Sequence, residues 1–199
     1  MLNLQVLPQV SLNIKWINMH FLEHYYTIII KHNLIHRFNY ENLKNIPKLK
    51  KIILNFGCKT SDLKILASSL LALQLITAKK SSLTISNRSN IILKIRKGNP
   101  VGCKVILTKK MMYRFFAKFL IEIFPKLKNK SLIKKSQLFN TLTSNFNNIL
   151  VFKELEKNYI LFNNLKDLQV IFVTNAETTE ELLFLLNSFK ISTKINKNI

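Results

Sequence analysis

The most informative segment of the chain reads Lys94-Ile95-Arg96-Lys97-Gly98-Asn99-Pro100-Val101-Gly102-Cys103-Lys104. It contains two of the three glycines, one of the four prolines and four cations. Glycine can adopt positive φ or allow a second backbone to approach closely, whereas Pro100 fixes its own φ and favours an extended Asn99. We therefore predict a basic turn between two strands, a structure that suits a phosphate backbone.

Apolar residues alternate with polar ones on both sides of this turn. The alternating positions are Leu83 and Ile85, then Ile91, Leu93 and Ile95, then Cys103, Val105 and Leu107. Alternation of this kind is typical of strands with one buried face. The sequence thus predicts three strands around a long basic loop.

The N-terminal part of the chain alternates between helix and strand patterns. A helix is predicted over residues 18–38, with an apolar side formed by Phe21, Tyr25, Ile28, Ile29 and Ile35. A strand is predicted over residues 48–56, with Ile52, Leu54 and Phe56 on one face and Ile53 and Asn55 on the other. Thr60 or Ser61 is predicted to cap the next helix, over residues 62–76.

The remaining patterns complete an α+β fold. They predict a helix from residue 108 or 109 to Phe124, a strand over residues 168–174, and a last helix through Phe189 that begins with the capping box Thr178-x-x-Glu181. We expect a single domain at residues 18–190, with a mainly antiparallel sheet, helices packed on one face and the basic loop between strands. Residues 1–17 would form an N-terminal extension and residues 191–199 a C-terminal tail.

Positive charge is concentrated in the middle of the chain. The 199 residues carry a net charge of +21, and the segment from Leu63 to Lys153 has 18 cations but one carboxylate, Glu122. Charge runs are often only solvated surface, and an AT-rich genome favours lysine codons. Codon drift alone does not remove carboxylates from so long a segment, so we favour nucleic-acid binding over a merely solvated surface.

Other function classes have weaker support. No run of eighteen apolar residues occurs, which argues against a membrane span. Cys58 and Cys103 lie far apart without a Cys-x-x-Cys motif, so neither a disulfide framework nor a zinc site is indicated. The carboxylates have no metal-binding spacing and no glycine-rich phosphate loop precedes a helix, so we expect no enzyme activity, cofactor or metal site.

Two alternatives stay open at this point. His20, His24, His32 and His36 form two pairs at four-residue spacing, which we interpret as helix-surface residues because zinc would need further ligands. A basic protein could instead bind anionic lipid, but that function needs an amphipathic helix with lysines along one side. The cations here fall mainly in predicted loops and strands, and lipid flotation against RNA pull-down would separate the two functions.

Several blocks of the sequence, in this order, resemble the bacterial-type fifth protein of the large ribosomal subunit. They are Phe38-Asn39-Tyr40-Glu41-Asn42, Ile46-Pro47-Lys48-Leu49-Lys50-Lys51-Ile52, Leu54-Asn55-Phe56-Gly57, the turn Gly98-Asn99-Pro100-Val101-Gly102-Cys103-Lys104, and Asp167-Leu168-Gln169-Val170-Ile171-Phe172-Val173-Thr174. The order of the blocks is more specific than any one of them.

The resemblance implies a structural constituent of the large subunit that binds 5S and large-subunit ribosomal RNA. It also implies contacts with peptidyl-site transfer RNA, with a protein of the small-subunit head and with other ribosomal proteins, and none with a membrane. The expected ribosomal-RNA-binding residues are Asn55, which falls on a family asparagine facing the 5S RNA, and Lys79, Lys80, Lys104, Lys109, Lys110, Lys126 and Lys128. The expected residues of the transfer RNA and intersubunit loop are Arg88, Lys94, Arg96 and Lys97.

The chain also departs from the family pattern. Lys79 stands where the family has a glutamine and Ile106 where it has a threonine, and the glycine-rich segment expected between residues 128 and 164 is missing. In residues 1–17, Val10, Leu12, Ile14 and Trp16 alternate, as in an added edge strand or a partner-binding arm. The lysine-, asparagine- and isoleucine-rich composition and the lack of a leader pattern lead us to expect the mitochondrial matrix, in the mitochondrial ribosome, with a plastid or bacterial ribosome as alternatives.

Overall fold

Six strands form one antiparallel sheet that organises the fold. The computed structural model describes residues 21–58, 62–127, 133–135, 141–165 and 167–191. Within these ranges the strands are β1 (Leu49–Gly57), β2 (Ser82–Ile85), β3 (Pro100–Leu107), β4 (Ile133–Lys135), β5 (Thr141–Phe146) and β6 (Leu168–Thr174), in the spatial order β2-β3-β1-β6-β5-β4. The predicted α+β class is confirmed.

The helices of the described ranges are α1 (residues 21–37), α2 (Leu63–Thr77), α3 (Lys109–Lys118), α4 (Lys153–Glu156), α5 (Tyr159–Phe162) and α6 (Thr179–Ser188). A π turn, Tyr26–Ile30, lies within α1, and a second one, Phe119–Ile123, follows α3. Short 3₁₀ turns occupy Phe124–Lys126 and Ile149–Val151. None of these helices combines the length and apolar character needed to cross a membrane.

One face of the sheet packs against helices and forms the core. From Ile52 to Phe56 the side chains of β1 alternate as predicted, with Ile52, Leu54 and Phe56 buried, and Leu49 at the start of the strand is buried as well. Phe116 and Phe119 meet Phe172 of β6 edge to face, with ring centroids 5.8 and 4.9 Å apart. Such aromatic pairs add about 0.5–1.5 kcal/mol each to the burial of their area. The opposite face of the sheet is therefore left to polar and β-branched residues.

Two glycines shape the ends of the basic loop. Gly98 has φ of +89°, which a residue with a side chain rarely adopts. Gly102 lies within β3 directly opposite Gly57, where a Cβ atom would clash with the carbonyl oxygen of Phe56 and lie 2.9 Å from Thr84 Oγ1. The predicted turn thus ends before Pro100, and residues 100–104 belong to the strand.

The predicted apolar side of the first helix is wrong. The buried residues of α1 are Tyr26, Ile30 and Leu34, whereas Phe21, Ile28, Ile29 and Ile35 are exposed and Tyr25 is half-buried. The π turn inserts one extra residue into the helix, so the residues beyond it rotate relative to an ideal α-helix. The hydroxyl of Tyr26 donates to the carbonyl oxygen of Pro47 at 2.9 Å, which fixes the helix beside β1.

The strand predicted around residues 91–95 is also wrong. Residues 91–94 form a turn in which the Lys94 N–H donates to the Ile91 carbonyl at 3.1 Å. Asn90 and Ile95 exchange backbone hydrogen bonds of 2.8 and 3.0 Å as an isolated bridge, and Ile95 is buried. Two strands, β2 and β3, flank the loop instead of three.

The helix ends agree better with the sequence. The capping box is confirmed: Thr178 Oγ1 accepts from the Glu181 N–H at 3.3 Å, and Glu181 Oε2 accepts from the Thr178 N–H at the same distance. Asp62 is the N-cap residue of α2, and the predicted caps Thr60 and Ser61 lie outside the described residues. Strands β4 and β5 had no sequence prediction.

Candidate nucleic-acid interface

The face of the sheet that points away from the core carries a line of polar side chains across five strands. The register places them opposite one another in the order Ser82, Lys104, Asn55, Gln169 and Asn145. Neighbouring strands lie about 4.8 Å apart, so these five residues span roughly 19 Å. We call this set the polar row.

The polar row is available to a ligand. Asn55 and Gln169 are half-buried, whereas Ser82, Lys104 and Asn145 are exposed. Ser82 Oγ donates to the Lys104 carbonyl at 3.1 Å, but the side chains of the other four residues make no hydrogen bond or ion pair within the described ranges. Carboxamides donate and accept, and an ammonium group pairs with phosphate. The row can therefore bind sugar hydroxyls, base edges and phosphates together.

The next row of the same face is mostly apolar. Ile106, Ile53, Ile171 and Thr143 lie opposite one another on β3, β1, β6 and β5. Ile106 is 38% exposed, which is unusual for so apolar a side chain on a sheet. The described strand residues of this face include no carboxylate. A polar line beside an apolar strip, without negative charge, suits a surface that binds the sugar and base edges of a polyanion.

Several predicted lysines gather where β3 ends. Lys79 Nζ donates to the Ile106 carbonyl at 2.7 Å, so this residue is held against β3. Lys109 and Lys110 are the exposed first residues of α3, whose first turn contains no acidic residue and whose N-cap residue, Thr108, makes no capping hydrogen bond with its side chain. Free N–H groups at a helix N-terminus beside two lysines attract anions.

The other predicted residues lie apart from this group. Lys80 is exposed in the connection from α2 to β2, and Lys126 is exposed at the end of the 3₁₀ turn after α3. Lys128 lies outside the described residues. The structure thus brings Asn55 and Lys104 together as neighbours and places Lys79, Lys109 and Lys110 near the end of the same strand.

The basic loop, residues 86–99, projects from the edge of the sheet between β2 and β3. At its base the Ser86 N–H donates to the Asn99 carbonyl and the Gly98 N–H donates to the Ser86 carbonyl, both at 2.9 Å. The four predicted cations Arg88, Lys94, Arg96 and Lys97 are exposed, and no carboxylate of the described ranges forms an ion pair with them. A positive loop without internal neutralisation is suited to a second polyanion.

The tip of this loop is apolar, which the sequence analysis did not predict. Ile91 and Ile92 are 93% and 92% exposed. Isolated exposed apolar residues are ordinary, but two adjacent ones at the end of a charged hairpin leave an exposed apolar surface. The error came from interpreting the alternation of Ile91, Leu93 and Ile95 as a strand with one buried face.

The polar row also contains residues that the sequence analysis missed. Ser82, Gln169 and Asn145 were not predicted as site residues, because only the strand register shows that they line up with Asn55. Of the four histidines, His24, His32 and His36 are exposed, and the described residues contain no group of three or more histidine, cysteine or acidic side chains arranged for a metal. His20 lies outside the described ranges.

Comparison with known proteins shows similarity to one family of ribosomal proteins. Residues 100–193 match the model of the C-terminus of the ribosomal L5 family. The chain is 36% identical over 177 residues to the large ribosomal subunit protein uL5m of Reclinomonas americana, covering 87% of this chain and 97% of that protein.

Bacterial relatives align over most of the chain as well. The large ribosomal subunit protein uL5 of Wigglesworthia glossinidia brevipalpis is 33% identical over 166 residues, covering 81% of this chain and 91% of that protein. The uL5 of Clostridium acetobutylicum is 33% identical over 157 residues, covering 77% and 86% of the two chains. The similarity therefore extends over both the sheet and the basic loop.

Proposed function

The chain belongs to the uL5 family of large-subunit ribosomal proteins, and on that premise we propose that its polar row binds 5S ribosomal RNA. As a member of this family it is a structural, non-enzymatic constituent of the large ribosomal subunit. Ribosomal RNA and other ribosomal proteins are its partners.

The observation that carries the proposal is the position of Asn55 at the centre of the polar row. Its carboxamide lies between Lys104 on one side and Gln169 on the other and has no partner in the described chain. The minor groove of an RNA helix is wide and shallow and displays 2′-hydroxyl groups and base edges. A flat row of amides with one lysine supplies donors and acceptors for those groups.

The lysines near the end of β3 would bind the phosphates that border this contact. Lys109 and Lys110 are exposed, and the Ile106 carbonyl holds the Lys79 ammonium group against the end of β3. Phosphate contacts of this kind position a protein on RNA without reading its sequence. We therefore assign orientation to the lysines and recognition of the RNA surface to Asn55 and its neighbours.

The basic loop has a separate partner in this proposal. Its four exposed cations contact the phosphates of peptidyl-site transfer RNA, and its apolar tip, Ile91-Ile92, contacts a protein of the small-subunit head. The support is that these cations form no ion pair within the described ranges, together with the near-complete exposure of the tip. Because these cations and the apolar tip are uncovered in the isolated chain, they are free to contact partners that bind after the subunit has assembled.

We place the protein in the ribosome of the mitochondrial matrix. The alignment with uL5m of Reclinomonas americana covers 97% of that protein. The composition of this chain is rich in lysine and asparagine, as an AT-rich organellar genome would produce. Fractionation of the source cells, with this chain followed by mass spectrometry, tests the compartment. Recovery with a plastid or bacterial ribosome would contradict this placement.

The polar row is tested by Asn55→Ala with Asn163→Ala as its matched control. Asn163 follows α5 on the helical side of the sheet and is exposed. Its replacement therefore removes an asparagine side chain without changing the polar row. Loss of a hydrogen bond to a desolvated partner costs about 1–3 kcal/mol, so Asn55→Ala should weaken binding to 5S RNA about 5- to 150-fold. Filter binding at fixed salt measures both variants.

Two outcomes would contradict the assignment. If Asn55→Ala binds 5S RNA as tightly as the Asn163→Ala control, the row does not recognise that RNA. If Asn55→Ala unfolds but keeps its affinity per folded molecule, then Asn55 is a structural residue. Repeating the titration with large-subunit RNA from the same source shows whether the polar row binds that RNA in place of 5S RNA or binds neither.

A further inference from the structure

The two cysteines, which are distant in the sequence, meet at one end of the sheet. Cys103 of β3 lies opposite Phe56 of β1, and the Cys58 N–H donates to the Val101 carbonyl at 2.8 Å. Cys58 is two residues beyond Phe56, so its side chain lies on the same face of the sheet as those of Phe56 and Cys103. The two thiols are therefore diagonal neighbours across β1 and β3.

The Ser69 hydroxyl group lies beside the two thiols. The Cys103 thiol donates to Ser69 Oγ of α2 at 3.0 Å, and the Ser69 hydroxyl donates to the Leu66 carbonyl at 2.8 Å. The same hydroxyl group also lowers the pKa of the Cys58 thiol, which places it near that side chain. Ser69 and Cys103 are completely buried, whereas Cys58 is half-buried. Ser69 thus lies near both thiols, and Cys58 is the more accessible of the two.

We propose that Cys58 and Cys103 are a redox-active thiol pair, which an oxidant of the peroxide class converts into a disulfide between β1 and β3. The peroxide transfers one oxygen atom to the Cys58 sulfur, forming a sulfenic acid and releasing one water. The Cys103 sulfur then attacks the Cys58 sulfur and forms the S–S bond. The hydroxyl group leaves with the Cys103 proton as a second water, so the two thiols lose two electrons and the peroxide gains them.

The order of these steps follows from exposure. Burial raises the pKa of Cys58, which the nearby Ser69 hydroxyl partly offsets, and burial raises the pKa of Cys103 to about 11. Both thiols are therefore protonated near neutral pH, and the reaction is slow. Cys58 meets the oxidant first because a peroxide reaches a half-buried sulfur before a fully buried one.

Closing the bond requires a small movement of the strand end. Diagonal neighbours on paired strands have Cα atoms about 7–8 Å apart, whereas a disulfide usually joins Cα atoms about 4.4–6.8 Å apart. The end of β1 must therefore move by about 1 Å. A Cβ atom added at Gly57, the residue before Cys58, would meet no atom within 4 Å, so this end of the strand has room to move.

The full-length chain provides the test. It is incubated with hydrogen peroxide, blocked with N-ethylmaleimide and analysed by non-reducing peptide mapping and intact mass. We expect the loss of two hydrogen atoms, no alkylation and one linked peptide pair that contains Cys58 and Cys103, all reversed by dithiothreitol. The cross-link closes a long loop of the unfolded chain, so the melting temperature should rise by about 5–10 °C.

Single-cysteine variants are the controls. Cys58→Ser and Cys103→Ser should each form no internal link and show no rise in melting temperature with peroxide. The decisive measurement is the peptide map of the wild-type chain, because that result does not depend on how well either variant folds. If its thiols end as sulfinic acids, or link only between molecules, then the pair does not exist as proposed.

Discussion

Gly102→Ala is the substitution whose effect follows most directly from the structure. Gly102 of β3 faces Gly57 of β1 in the antiparallel register. An added Cβ atom would approach the Phe56 carbonyl oxygen well below the 3.0 Å limit of real Cβ contacts, and would lie 2.9 Å from Thr84 Oγ1. Thr84 can rotate its side chain, but the Phe56 oxygen belongs to the backbone of β1.

The magnitude follows from the displacement that the new atom requires. To reach ordinary contact, at 3.4 Å or more, β1 and β3 must separate by about 1 Å at this point. Overpacking of this kind costs about 1–3 kcal/mol, and weakening one or two neighbouring ladder hydrogen bonds costs about 0.5–1.5 kcal/mol each. Replacing glycine also lowers the conformational entropy of the unfolded chain, which stabilises the fold by about 0.4–1 kcal/mol. We expect a net loss of about 2–3 kcal/mol.

Urea denaturation followed by circular dichroism measures this loss. The midpoint should fall while the slope with denaturant stays constant, and the melting temperature should drop by about 4–10 °C. Gly57→Ala is the matched control, since its Cβ atom would meet nothing within 4 Å and its stability should change by less than about 0.5 kcal/mol. Equal stabilities for the two variants would refute the close-approach argument for Gly102.

Three further predictions concern the loop, the charge and a helix cap. Replacing residues 87–90 with a glycine-serine linker should leave assembly into large subunits unchanged but lower transfer RNA affinity or subunit joining, and ribosome profiles in which the variant is missing from large subunits would overturn this division. With about six to ten phosphate contacts, RNA affinity should fall roughly a thousandfold or more between about 50 and 200 mM salt, and a flat filter-binding titration would remove the electrostatic argument. Thr178→Ala should lower the free energy of unfolding by about 0.5–2 kcal/mol in urea melts, because the N–H of Glu181 loses its acceptor, and an unchanged midpoint would mean that the cap is replaced by water.

The parts of the fold that the sequence predicted best are those with one strict periodicity. The alternation in β1 predicted its buried face, the strand over residues 168–174 was predicted with its observed bounds, and the capping box predicted the start of α6. In each case one local pattern has one physical interpretation. The same alternation put Asn55 on the open face, where the structure finds it.

The helix α1 was harder, because its apolar residues occur on more than one side. Ile28, Ile29 and Ile30 are consecutive, so hydrophobicity alone does not select which of them is buried. The structure buries Ile30 together with Tyr26 and Leu34, four residues before and after it, so the buried side is one residue out of phase with the predicted one. A π turn has no strong sequence pattern, and the phase of a helix that contains one depends on its tertiary contacts.

The polar row could be predicted only in part, because it depends on pairing between strands. Its members come from β2, β3, β1, β6 and β5, and a shift of one residue in any pair would turn a side chain to the other face. The segment that contains Asn145 also departs from the family pattern, so resemblance gave no register there. The neighbours of Asn55 are therefore a result of the structure.

The position of β2 has a consequence for the life of the protein before assembly. One side of β2 pairs with β3, whereas no strand of the described chain pairs with its other side. Leu83 and Ile85 on this strand are 49% and 65% exposed, and the strand has neither a proline nor a charged residue to discourage pairing with another copy. We expect the newly synthesised chain to self-associate when its RNA is scarce, so that the supply of ribosomal RNA limits how much of it persists in a free state.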